Sequence, residues 1–241
     1  MSKINKVKGR QVFDSRGNPT VEAEVFTESG SCASAIVPSG ASTGTHEAFE
    51  LRDKENQNYL GKSVFKAVEN IDGPITKALK SIDINNQKKI DKILIDLDGT
   101  EQKKRLGANA ILAVSVASCK LAAIEKKTSL FKHLGNPKSS QLPVPLLNII
   151  NGGVHAKNNL DIQEFMIRPE KTKSFSEAMR RSFLVIQNLK GIIDDTNVGD
   201  EGGFAPNLRD NEEAIKLIMR AIEKSGFRPG EDISICLDVA A

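Results

Sequence analysis

The run Val198-Gly199-Asp200-Glu201-Gly202-Gly203-Phe204-Ala205-Pro206 sets two adjacent carboxylates among three glycines and closes with a proline. Carboxylates move protons and bind hard cations, and so tight a backbone either turns them to solvent or aims them at a reacting group. Three further sites carry groups of the same kind. Asn151-Gly152-Gly153-Val154-His155 ends a glycine turn on a histidine, and Gln163 and Glu164 are neighbours in an otherwise apolar segment. On a regular strand those two side chains point to opposite faces, so one of them faces the interior. Asp238 follows the apolar positions Ile233, Ile235 and Leu237. A carboxylate there is either a paired structural group or a metal ligand, because burying it alone is costly and oxygen ligands suit magnesium.

The elements that must position these groups fall into two regions. In the first, Thr20-Val21-Glu22-Ala23-Glu24-Val25-Phe26 alternates apolar and polar, the period of a half-exposed strand. Residues 31–37 offer its partner, with a hairpin turn at Thr27-Glu28-Ser29-Gly30 between them. Val64, Phe65, Val68, Ile71, Ile75 and Leu79 recur near helical spacing, with an interruption expected at Gly73-Pro74. A second helix ends at Asp98-Gly99. A third, over 108–127, is rich in small apolar residues and reads as buried on most sides. This predicts an α+β domain over 1–135, with antiparallel strands and helices on one face.

The polar stretch 135–140, with Gly135 and Pro137, predicts a boundary. Residues 136–241 then alternate apolar strands (144–150, 162–167, 233–239) with helices (174–197, 211–225), the pattern of a β/α barrel of TIM type. Such barrels carry their reactive groups at the C-terminal ends of the strands, where 151–155, Asp200-Glu201 and Asp238 fall. The chain stops inside an apolar, strand-like run, so an incomplete barrel is expected.

Composition narrows the function. With 34 basic and 31 acidic residues the net charge is +3, which gives no case for nucleic-acid or anionic-membrane binding. Cys32, Cys119 and Cys236 are odd in number, far apart and without CxxC spacing, against a disulfide framework or zinc site. Cys119 and Cys236 read as buried small hydrophobes. The first residues hold no apolar signal region, and no segment reads as a membrane span of about 18 apolar residues. A cytoplasmic location is expected.

Taken in order, Asp14-Ser15-Arg16-Gly17-Asn18-Pro19-Thr20, Pro38-Ser39-Gly40-Ala41-Ser42-Thr43-Gly44, Asn151-Gly152-Gly153-Val154-His155, Asp161-Ile162-Gln163-Glu164-Phe165 and the acidic run at 198–206 resemble the enolases, magnesium-dependent lyases of glycolysis. The resemblance extends from residue 3 to residue 241. It implies reversible dehydration of 2-phosphoglycerate to phosphoenolpyruvate. It also implies Glu201 as the acid assisting hydroxide loss, Glu164 as its companion carboxylate, and Gln163 as a substrate contact. His155 matches the histidine of a closing loop. Ser42 matches the serine of another closing loop, which touches substrate and ligates a second Mg2+, with His46 as a supporting position. Asp238, in Leu237-Asp238-Val239-Ala240-Ala241, matches one magnesium-binding aspartate. His133 and Arg16 read as structural, Arg16 alternatively as a subunit contact. Lys157 stands where family members often carry an acidic residue.

The resemblance implies a homodimer for the full-length protein. It also places the general-base lysine, two acidic magnesium ligands and the phosphate-holding residues beyond residue 241, so the chain alone is expected to be inactive and poorly soluble through exposed parallel strand edges. The alternatives are a non-catalytic fragment and, since enolases are also reported at cell surfaces, a surface binding protein.

Overall fold

The structure, a computed structural model, describes residues 2–40, 44–135 and 141–240. Two compact units divide the chain, residues 1–139 and 140–241. In the first, β1 (Ile4–Phe13), β2 (Pro19–Thr27) and β3 (Cys32–Val37) form an antiparallel sheet in that order. The hairpin between β2 and β3 turns where the sequence places it, with Gly30 at φ +87° and its N–H donating to the Thr27 carbonyl at 3.1 Å. Strand β1 has no counterpart among the strands read from the sequence. A register shift between Ile4 and Lys6 breaks its alternation, so the buried positions Ile4 and Val7 are not two apart.

α1 (Phe65–Asn70) and α2 (Thr76–Leu79) are joined by a wide helical turn over Ile71–Ile75 that contains Pro74. The wide turn absorbs the proline's missing N–H and interrupts the α-helix where Gly73-Pro74 predicts it. Asp53 caps its start, accepting from the N–H groups of Phe65 at 2.7 Å and Lys66 at 3.1 Å. α3 (Gln87–Asp98) ends on Gly99 in the left-handed conformation, φ +69°, as the Asp-Gly pair predicts. α4 (Ala108–Glu125) packs on β2 and β3, and α5 (Leu130–Leu134) follows. Helices α1, α2 and α4 thus pack on this sheet, and α3 and α5 pack on those helices.

The sequence reading of no membrane-length segment needs one correction. By length and composition α4 could cross a membrane, with mean hydropathy 1.4 over 18 residues. Its Ala110, Ala113, Val114, Ala117 and Leu121 are instead buried in the core with Val21, Val25, Ile71 and Leu94. The low side-chain bulk lets the helix sit close to the sheet.

In the second unit, β4 (Leu147–Asn151), β5 (Glu164–Pro169) and β6 (Ile233–Asp238) form a sheet in sequence order, and β5 runs antiparallel to both neighbours. The strand pairing differs from the parallel ladder expected of alternating strands and helices. Strands β4 and β5 are joined by a turn of loops, with no helix between them to bring the chain back, so β5 must return in the opposite direction. β6, on which Leu237 is 42 % exposed, therefore belongs to an antiparallel sheet. Cys236 on this strand is half-buried and not a core residue.

α6 (Phe175–Lys190) and α7 (Asn211–Lys224) pack against each other and contact the sheet. Their N-caps, Ser174 and Asp210, accept from the N–H groups of Glu177 and Glu213. α6 stops earlier than predicted, at Gly191, and Ile193 turns into the core beside Val185, Leu189 and Phe165. His133, in the last turn of α5, is pushed below the ordinary imidazole range by burial and then by the Lys126 charge. Burial and the Lys126 charge thus act against the favourable place for a cation at a helix end.

One polar contact ties the hairpin of the first unit to its longest helix. Ser29 and Thr27 donate their hydroxyls to one Glu125 oxygen at 2.6 and 2.8 Å, which lowers the carboxyl from its ordinary 4.5 to about 2. A carboxylate with a depressed folded value stabilises the fold above its unfolded value and loses that contribution as pH falls. Unfolding midpoints of the wild type should therefore decline between pH 4.5 and about 2. Glu125→Gln should flatten that decline and lower stability at pH 7 by about 1–2 kcal/mol through the weakened hydroxyl contacts. Chemical denaturation across this pH range measures both, and an unchanged slope in the variant would contradict the contact.

Candidate functional site

The reversed direction of β5 assembles the polar groups of the second unit. Asn151, the last residue of β4, stands opposite Glu164, the first of β5, and Glu164 stands opposite Asp238, the last of β6. Residues directly opposed in a ladder project from the same face, so one end of the sheet presents an amide and two carboxylates in a row. Gln163 lies just before the strand in a bend, so alternation along a strand does not govern it. It is 7 % exposed, donates its N–H to the Asp238 carbonyl at 3.1 Å and accepts from Gly152 N–H at 3.0 Å.

Two loops close over this row. Residues 152–163 bring His155 back at the end of a short 3₁₀ turn, Gly153–His155, where its side chain is 4 % exposed. Its carbonyl accepts the Asp200 N–H at 3.0 Å, which joins the histidine loop to the acidic loop. The acidic loop is a ring closed by Gly199 N–H donating to the Gly203 carbonyl at 2.9 Å, with Gly202 at φ +77°. A Cβ on Gly199 would stand 2.5 Å from the His155 oxygen and 2.8 Å from Asn151 Cβ, so this position has no room for a side chain. Asn158 ties the two loops further by donating Nδ2 to the carbonyls of Asn151 and Pro206 at 2.9 and 3.1 Å.

The result is a compact group of His155, Glu164 and Glu201, each offering one ligand atom within 4.8 Å of the others. His155 Nδ1 lies 3.5 Å from Glu164 Oε1, and neither buried ring nitrogen has a hydrogen-bond partner among the described residues. The Glu164 side chain is 18 % exposed. Burial pushes its carboxyl above the ordinary 4.5, the Glu201 charge adds to this, His155 opposes it and Asp238 adds a further push. Glu201 itself is exposed. Such a carboxyl holds its proton more firmly than a free one.

Asp238 is half-buried and accepts from Ala240 N–H at 2.9 Å through Oδ1, outside the group of three. The oxygen donors Glu164, Glu201 and Asp238 suit a hard divalent cation, and the mutual repulsion around Glu164 is the kind of charge surplus that a cation relieves. Ser42 lies outside the described residues. Nearby, Arg16 donates to the carbonyls of Ser39 and Gly40 at 2.6 and 3.2 Å, a structural contact within the first unit. His46 and Lys157 are exposed. Asn151 lies within a motif singled out from the sequence but received no role there. An asparagine beside two glycines reads as a turn former, and its burial depends on the acidic loop, β5 and Asn158 packed around it.

Residues 4–134 match the family described as "Enolase, N-terminal domain", and residues 139–241 match "Enolase, C-terminal TIM barrel domain". The chain is 60 % identical over 245 aligned positions to the enolase of Pelagibacter ubique (strain HTCC1062), an alignment covering 100 % of this chain and 58 % of that protein. The chain thus spans well under two thirds of the relative it matches. The antiparallel strands and helices of the first unit and the sheet of the second, read as part of a TIM barrel, agree with both matches. With both domain types present in order and the acid group at the strand ends, the chain belongs to the enolase family.

Proposed function

We propose that this chain is the N-terminal portion of a lyase that interconverts 2-phosphoglycerate and phosphoenolpyruvate with Mg2+ in glycolysis. The observation that carries the reading is the group of His155, Glu164 and Glu201 within 4.8 Å, together with a Glu164 carboxyl held up by burial and by Glu201. Loss of hydroxide from carbon needs a proton delivered to the departing oxygen, and a carboxyl whose surroundings raise its hold on a proton is suited to that delivery.

In this reading Glu201, exposed at the apex of its loop, hands the proton over. Glu164 beside it replenishes the proton and keeps the acid pair from losing both. His155, anchored to the acidic loop through its carbonyl, orients the substrate and excludes water when the loops close. Gln163, buried before β5, contacts substrate. Asp238 supplies one carboxylate to Mg2+ and Ser42 a hydroxyl to a second ion, and when bound the metal offsets the charge that develops on the substrate carboxylate. A cytoplasmic location and a paired, two-copy assembly go with this reading. The free cysteines support the first, and the family resemblance supports the second.

The proton-abstracting lysine and the other acidic metal ligands that the family implies have no matching position in this sequence. Turnover is therefore assigned to the longer polypeptide and not to the 241-residue chain by itself. The reading as a non-catalytic fragment concerns this chain alone and leaves that assignment intact.

Formation of phosphoenolpyruvate followed by absorbance tests the assignment. A version extended through the remainder of the barrel should turn over 2-phosphoglycerate with Mg2+ and lose that activity with chelator, while the 241-residue chain should show none. In the extended protein Glu201→Gln should lower kcat by about 10²–10⁴-fold, the usual contribution of a positioned acid. Full activity in Glu201→Gln, or turnover that ignores chelation, would overturn the assignment.

A further inference from the structure

The acidic loop does more than carry Glu201. It is wrapped around one side chain, and that side chain is Asn151, which is 0 % exposed. Its main-chain N–H donates to the Phe204 carbonyl at 2.8 Å, while Phe204 N–H donates to Ile149 at 3.0 Å, so the strand end and the loop end are bonded in both directions. Its Oδ1 accepts from Asn148 Nδ2 at 2.9 Å. A Cβ on Gly203 would collide with that Oδ1, and one on Gly199 would stand 2.8 Å from Asn151 Cβ. The amide therefore fills the interior of the ring closed by Gly199 and Gly203, with Glu201 at the outer apex.

Its Nδ2 is buried with no partner among the described residues. A buried donor left unpaired is costly, so an apolar residue of similar size would serve stability better. The amide is kept where both flanking loop positions, Gly199 and Gly203, are glycine, and a Cβ at either would meet it.

We propose that Asn151 is a positioning residue for Glu201, a buried peg that fixes the loop 199–203 on the end of β4 and so sets where the Glu201 carboxylate meets His155 and Glu164. Its effect on turnover rests on the lyase reading above, whereas its effect on the loop does not. Small displacements of reacting groups are expensive, since a misplacement of about 1 Å can cost about 10²-fold in rate.

The experiment has two arms. In the 241-residue chain, Asn151→Ala should raise amide exchange at Gly199, Asp200 and Gly202 by about tenfold, the equivalent of one weakened hydrogen bond, with Phe165 and Ile167 in β5 unchanged. In the extended, Mg2+-supplied enzyme the same change should lower kcat by about 10²-fold with KM held, the signature of an interaction needed only in the transition state. Gly203→Ala, which pushes on the same amide from the loop side, should give the same pattern and serves if Asn151→Ala does not fold. Loop amides that stay protected in the folded variant overturn the peg. Loosened amides with wild-type kcat overturn the positioning role. An extended wild type that never turns over substrate sinks the lyase reading and the rate effect with it, and the exchange arm still decides the peg.

Discussion

Three acidic groups share one end of a three-stranded sheet, and the repulsion among them is the condition that the rest of the second unit must hold in place. Glu164 is partly buried between the Glu201 charge and Asp238, with the His155 ring beside it. Left to relax, the carboxylates would move apart or into water. They do not, because each hangs from a backbone that is fixed elsewhere. Glu164 opens a strand whose next residues, Phe165 and Ile167, are fully buried. Glu201 hangs from a loop bonded to β4 and to His155. Such local frustration is what a site for proton transfer requires, since groups whose surroundings push their affinities apart can act as acid and companion at one pH.

The packing that enforces this closeness is mainly backbone and glycine. Gly199 and Gly203 lie where any Cβ would strike His155 or Asn151, so the two loops approach to contact distance. Asparagine amides then bridge loop to loop, with Asn158 reaching Pro206 and Asn211 accepting from the Asp161 N–H at 3.1 Å. Hydrogen bonds of this kind define the geometry of the site with little apolar burial. The apolar stability of the unit comes from the other side of the sheet, where Val185, Leu189, Ile218 and Ile222 cover the strands.

Much of this was legible in the sequence, for stateable reasons. The hairpin after Thr27, the Asp98-Gly99 stop and the helix over 211–225 obey local rules of turn chemistry and 3.6-residue spacing, and they stand as read. The interruption expected at Gly73-Pro74 is there as well, as the wide turn over Ile71–Ile75 between α1 and α2. What failed depended on partners far along the chain. β1 hid behind a register shift, and α6 stopped at Gly191 because Ile193 had a core to enter. The direction of β5 could not be read because apolar runs carry no sign of direction. That direction is what places Glu164 between Asn151 and Asp238. The acid residues were named through motif order, whereas the burial of Asn151 and His155 emerges only once the loops are folded over them.

The central claim is that this chain itself holds Glu201 close enough to Glu164 for its charge to push the Glu164 carboxyl up. The most direct measurement is the titration of the Glu164 side-chain carboxyl by ¹³C NMR in the 241-residue protein, beside Glu201→Gln. The account predicts a midpoint above 4.5 in the wild type that falls when the Glu201 charge is removed. A Glu164 that titrates at or below 4.5 and ignores the substitution would contradict it.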